Sequence, residues 1–163
     1  MDKIKTLRRI SLFADLSADD TQRLSEIAST VSFKKGEHIF VERDIGDALF
    51  VITSGLVRVL KKGSEGNEEI ARLNPGQPFG EMTVIDKEKR SATVEALEDT
   101  ELLRIEHGKL KALLAQDDSF AGRVYETFSV YLCRRLRDTT KELTHMMDRT
   151  RQLRKMNYYP ENW

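Results

Sequence analysis

The segment Phe79-Gly-Glu-Met-Thr-Val-Ile-Asp-Lys-Glu-Lys-Arg-Ser-Ala-Thr-Val-Glu-Ala96 gathers the groups best suited to hold an anion. Gly80 lets the backbone approach a bound group closely and take dihedrals that a Cβ would oppose. The residues after it, Glu81 to Ile85, contain no turn former and predict one or two helical turns. The N-terminus of such a turn offers unpaired amide N–H groups and a partial positive charge. Arg90 then opens an apolar strand, and its planar fork matches a phosphate bidentately. Glu81 is expected to face the same space, where its carboxylate can accept a hydrogen bond from a ribose hydroxyl. Together these parts form a phosphate cradle with a sugar anchor beside it.

Two plainer roles for Arg90 can be weighed. A surface arginine paired with Glu81 or Glu95 would gain only about 0–1 kcal/mol. Inside a barrel, an unpaired cation would cost several kcal/mol, so a bound phosphate, or Glu81 itself in the empty state, would be required.

Catalytic chemistry has little to stand on. His38, His107 and His145 are widely separated and lack the paired spacing of a metal site. No nucleophile elbow, Walker loop or dinucleotide fingerprint is present, so the chain reads as no enzyme, with no cofactor and no metal. The single cysteine, Cys133, rules out an intramolecular disulfide and reads as an inert thiol on a helix.

The elements that must position the cradle separate into regions by pattern. Residues 1–30 show helical spacing at Ile4, Leu7 and Ile10 and again at Leu24, Ile27 and Ala28, with Ser17-Ala-Asp-Asp as an N-terminal cap signal. Residues 31–107 carry β-branched or alternating runs such as Ala48-Leu-Phe-Val-Ile-Thr, Leu56-Val-Arg-Val-Leu and Ala92-Thr-Val-Glu-Ala-Leu. Seven of the nine glycines punctuate this region, at the spacing of short strands and tight turns. The expected fold class is mainly β with flanking helices, a β-barrel or jelly roll.

Residues 108–156 return to helix: a short one near Lys109–Leu114, then a long one capped by Asp117-Asp118-Ser119. From Leu132 the spacing alternates four and three through Leu136, Thr139, Leu143, Met146, Thr150 and Leu153, a coiled-coil seam weakened by threonine. A homodimer through residues 120–156 is therefore expected. The tail 157–163 holds three aromatics, Tyr158, Tyr159 and Trp163, available to this chain or to a partner.

The cradle resembles the phosphate-binding cassette of the cyclic-nucleotide-binding domain family, of the catabolite activator and protein kinase regulatory subunit type. That pattern runs Phe-Gly-Glu, a short helix, then Arg-(Ala/Ser)-Ala-Thr, and the separation of nine between Glu81 and Arg90 is that of well-known members. Lys35-Gly-Glu-His-Ile, Gly46-Asp-Ala-Leu-Phe-Val-Ile-Thr-Ser-Gly and Leu73-Asn-Pro-Gly-Gln-Pro-Phe-Gly-Glu resemble the family's other motifs in order, and the likeness spans roughly Leu12 to Arg137.

The resemblance implies that Phe79, Gly80, Glu81, Met82, Thr83, Arg90, Ser91 and Ala92 surround a cyclic nucleotide. Gly80 and Glu81 would offer amides to the phosphate, and Glu81 its carboxylate to the 2′-hydroxyl. Arg90 would neutralise the phosphate, Ser91 would add its amide and hydroxyl, and Ala92 would shape the wall. Met82 and Val84 would line the short helix's apolar side. Lys89 and Thr83 depart from the proline and alanine common at those positions.

Arg134-Arg-Leu-Arg-Asp-Thr-Thr140 resembles the part of the catabolite activator dimer helix that caps the purine, implying base contacts from Arg134, Thr139 and Thr140. Serine after the cassette arginine leans toward cyclic AMP as the ligand, with cyclic GMP as the alternative.

Lysine plus arginine and aspartate plus glutamate each total 27, so no basic surplus points to nucleic acid. The chain ends before a helix-turn-helix would follow the long helix, so either it acts without DNA contact, as the even charge favours, or it is one domain of a larger protein. With no signal peptide and no membrane-spanning run, the expected location is the cytoplasm. The expected output is a changed dimer geometry or an exposed surface read by a downstream protein. A dimerisation or docking module that has lost its ligand is the rival reading.

Overall fold

The computed structural model describes residues 2–157 of the chain; the tail aromatics Tyr158, Tyr159 and Trp163, available to this chain or to a partner, lie outside them. The chain divides into two compact units, Met1–Thr127 and Phe128–Trp163.

The first unit opens with α1 (Lys3–Arg8), a 3-10 turn at Ser11–Phe13 and α2 (Ala18–Ile27). Ser17 caps α2 as expected, its hydroxyl accepting from the Asp20 N–H at 3.1 Å. Helix ends at Ile27, earlier than the spacing of Leu24, Ile27 and Ala28 implies. Ala28–Phe33 instead form β1, because Ser29, Thr30 and Val31 find a full ladder of partners on β8 (Thr100–Glu106).

The remaining strands are β2 (His38–Phe40), β3 (Ala48–Ser54), β4 (Val57–Gly63), β5 (Gly66–Leu73), β6 (Pro78–Phe79) and β7 (Thr93–Ala96), with α3 (Met82–Asp86) between β6 and β7. They form two four-stranded antiparallel sheets, in the orders β1-β8-β3-β6 and β2-β7-β4-β5. No ladder joins the sheets among the described residues, so the arrangement is a two-sheet jelly roll, not a closed barrel. Alternating strands look alike in both architectures, because period two reports which face is buried and not which strand is the neighbour.

β3 is buried on both faces, and register explains why. Ala48, Phe50 and Ile52 share the inter-sheet core with Val57, Phe79, Val94 and Leu102. Leu49 and Val51, opposite Ile105 and Leu103, point the other way, toward the side where α2 and α4 (His107–Leu114) pack on β8. That double burial fixes the chain on either side of β3 firmly enough to hold a charged site at its start.

α5 (Asp118–Asn157) gives its first residues to this unit. Asp117 caps it through the Phe120 N–H at 3.0 Å. Arg123 forks onto Asp20 at 2.7 and 2.8 Å, tying the helix to α2. In the second unit the helix continues with Leu136, Leu143, Met146 and Leu153 each more than half exposed. Among the described residues, no helix is long and apolar enough to cross a membrane.

Candidate functional site

Arg90 is buried, only 3% exposed, and its backbone is locked in place by two reciprocal bonds. Its N–H donates to the Asp44 carbonyl and its own carbonyl accepts from Arg43, both at 2.9 Å. The side chain runs inward to α3 and the start of β3. Nη1 donates to the Gly80 carbonyl and to Thr83 Oγ1, each at 3.2 Å, and Nη2 to the Ala48 carbonyl at 2.6 Å.

These acceptors are all neutral, and Nε is buried without any partner. The carboxylate within ion-pair range, Asp47, stands 3.7 Å away, is largely exposed, and is itself held by Arg104 at 2.7 Å. Burial pushes the Arg90 pKa down, against the opposing pull of Asp47, Asp44 and Glu81. A guanidinium stays charged even so. The site is therefore a buried cation with an idle N–H, bonded to neutral oxygens and attracted by Asp47, Asp44 and Glu81.

Aromatic rings complete its setting. The guanidinium carbon lies 4.0 Å over the Phe40 ring and 5.9 Å from that of Phe50. Phe50 stacks on Phe79 at 5.3 Å, and Phe40 tilts against both. A cation held between a ring face and carbonyl oxygens is stabilised without being neutralised.

Gly80 has φ +75, and a Cβ there would fall 2.6 Å from Arg90 Nη1 and 3.2 Å from the Ala48 carbonyl oxygen. Glycine is thus required both for the turn and for the arginine's approach. Glu81 follows as the residue before α3 and is buried, 1% exposed. Phe79 and Ala92 are buried as well, while Ser91 is exposed.

Two expectations about α3 need correcting. Met82 is 47% exposed and Val84 only half-buried, so neither forms an inward apolar side. Thr83 takes the inward position, buried, with its hydroxyl donating to the Gly80 carbonyl and accepting from Arg90. A five-residue helix is too short for its apolar residues to reveal which face turns inward. Phe40 and Asp47 were not read as parts of the site, whereas Thr83 was, and the structure gives its hydroxyl a contact with Arg90.

The base-contacting candidates lie on α5 in the second unit. Arg134, Thr139 and Thr140 are exposed, and Thr140 Oγ1 donates to the Leu136 carbonyl at 2.9 Å, leaving its oxygen free to accept. Arg135, not Arg134, stands four residues before Thr139 and so shares its face.

A family model described as cyclic nucleotide-binding domain matches residues 30–117. The chain belongs to the cyclic nucleotide-binding domain family. Within it, the chain is 34% identical over 133 residues to the cyclic AMP receptor protein of Thermus thermophilus, matching 81% of this chain and 60% of that one. The chain therefore spans about three fifths of the length of that relative.

Solved cyclic nucleotide-binding structures share the fold. The Thermus thermophilus catabolite activator protein superposes with a TM-score of 0.71 at 32% identity, covering 84% of this chain and 63% of that one. A cyclic nucleotide-binding domain from Methylobacillus flagellatus reaches 0.77 at 26% identity, covering 88% and 82%. In this cyclic nucleotide-binding domain the matched region contains every cassette residue from Phe79 to Ala92.

Proposed function

We propose that this domain is a sensor of a cyclic nucleotide, with cyclic AMP preferred over cyclic GMP. The observation that carries the proposal is Arg90, a buried guanidinium with neutral acceptors and an unused Nε. A cyclic phosphate supplies the missing anion. Replacing carbonyl contacts by charge-assisted bonds to phosphate is favourable because ionic hydrogen bonds are roughly twice as strong as neutral ones.

In this proposal Gly80 and Glu81 present amides to the phosphate, and the Glu81 carboxylate takes the ribose 2′-hydroxyl. Ser91 adds its amide and hydroxyl, and Phe79, Thr83 and Ala92 form the wall. Arg134, Thr139 and Thr140 of the long helix meet the base, and the helix pairs with that of a second copy. The domain works without catalysis, metal or cofactor, in the cytoplasm, and passes its state to a downstream protein. Support for cyclic AMP comes from Ser91 and from the cyclic AMP receptor protein among its relatives.

A ligand-free docking module is favoured by one observation: Arg90 already finds three acceptors within its own chain. Thermal melting decides between the two. Cyclic AMP at about 100 times its Kd stabilises a binder by about 2.7 kcal/mol. Melts unmoved by cyclic AMP and cyclic GMP alike refute the sensor.

A further inference from the structure

His107 begins α4 and carries a ring nitrogen that the fold does not use. Its backbone N–H donates to the Asp47 carbonyl at 2.8 Å, and its ring donates to the backbone of Gly46. The other ring nitrogen, Nε2, is buried with no hydrogen-bond partner. A buried polar atom left idle is unfavourable and calls for a reason.

The ring sits one contact away from the cassette. A Cβ on Gly46 would overlap the Thr83 side chain, so the Gly46 backbone rests directly on α3. Thr83 Oγ1 in turn accepts from Arg90. Contacts thus run without a break from His107 through Gly46 and Thr83 to Arg90.

Charged groups surround this path from every packed element. Arg90 and Arg104 oppose a second cation at His107, while Asp47 favours one. Asp44 and Glu81 act on Arg90 from the loop before β3 and from the residue that precedes α3. Glu106 is engaged by Arg104 at 3.3 Å, and Lys111 follows one turn along α4. Burial first and Arg90 second hold the imidazole below the ordinary histidine range, so it is neutral at physiological pH.

We propose that His107 is a positioning residue of the cassette whose protonation and the binding of an anion at Arg90 favour each other. The proposal rests on reading Arg90 as the phosphate-binding group. An anion there offsets the Arg90 charge, one of the three influences, with burial and Arg104, that oppose a charged imidazole. Linkage is reciprocal, so proton uptake on binding requires that the anion bind more tightly as His107 becomes protonated. Because binding raises the pKa of His107, affinity climbs as pH falls through the bound-state value and levels off below the free-state value.

The test is calorimetric titration of cyclic AMP into the whole chain, from about pH 7.5 to about pH 5.5, in buffers of different ionisation enthalpy. The wild type is expected to bind about 3- to 10-fold more tightly at the lower pH, taking up a fraction of a proton per site. His107→Gln, which keeps a donor for Gly46, is expected to bind with a flat profile. Binding with equal affinity at both ends and no proton uptake overturns the inference and leaves the nucleotide reading standing. A pH slope retained in His107→Gln overturns it too. Absence of binding at every pH refutes the nucleotide reading, and the inference with it. Proton uptake is measured on the wild type, so the test survives a variant that fails to fold.

Discussion

The guanidinium of Arg90 rests 4.0 Å above the ring of Phe40 and donates to the carbonyl oxygens of Gly80 and Ala48, with the Asp47 carboxylate 3.7 Å away. This stack and the hydrogen bonds to neutral oxygens keep the cation in place beside a carboxylate that Arg104 already engages. Phe40 therefore positions the arginine without needing to touch a ligand. Phe40→Leu should keep the fold and weaken cyclic AMP binding about 3- to 10-fold, the equivalent of a cation–π contact. Calorimetry checks it, and unchanged affinity would remove the ring from the account.

The Asp20–Arg123 pair fastens the start of α5 to α2. Its first cause, the hydrogen bond from Arg123, holds the Asp20 carboxyl below its ordinary value of 3.8. A carboxyl with a depressed native pKa stabilises the fold fully above the ordinary value, and the contribution fades as pH falls through the native one. Asp20→Asn should thus lower the Tm at neutral pH by about 2–4 °C. The gap to the wild type should shrink in melts run at about pH 3. A gap that stays constant across that range would show that the pair's charge contributes nothing.

Much of this was legible before any coordinates. Ser17 announced the start of α2 through its side-chain chemistry, and the cassette announced itself through Gly80, Glu81 and Arg90. Burial of Arg90 was left open beside a surface pairing, and the strand expected to start there, β7, begins only at Thr93. The pairing of β3 with both β6 and β8 was not legible, because those contacts join residues far apart in sequence. The resemblance put Met82 on the apolar side of the short helix, yet the backbone turns Thr83 inward, where its hydroxyl serves Arg90. Phe40 went unread because nothing in a strand's alternation marks a ring that faces a cation. Asp47 was passed over because its role depends on Arg104, which only strand register brings near.

Leu136, Leu143, Met146 and Leu153 are exposed along one seam of α5. Pairing with a second copy would bury them, since a sustained seam at this spacing is what two helices share. Leu143→Lys should convert a wild-type dimer to monomer in sedimentation experiments while leaving the jelly roll's own melting intact. A wild type that sediments as a monomer at about 100 times the cyclic AMP Kd would exclude the pairing.

The sensor reading stands or falls with what Arg90 holds. Arg90→Leu places an apolar side chain among Phe40, Phe50 and Phe79, so the variant should fold. Calorimetric titration with cyclic AMP should then show saturable binding to the wild type and no measurable binding to folded Arg90→Leu. Equal affinity in the two proteins would contradict the account, because the buried cation would then have no part in holding the ligand.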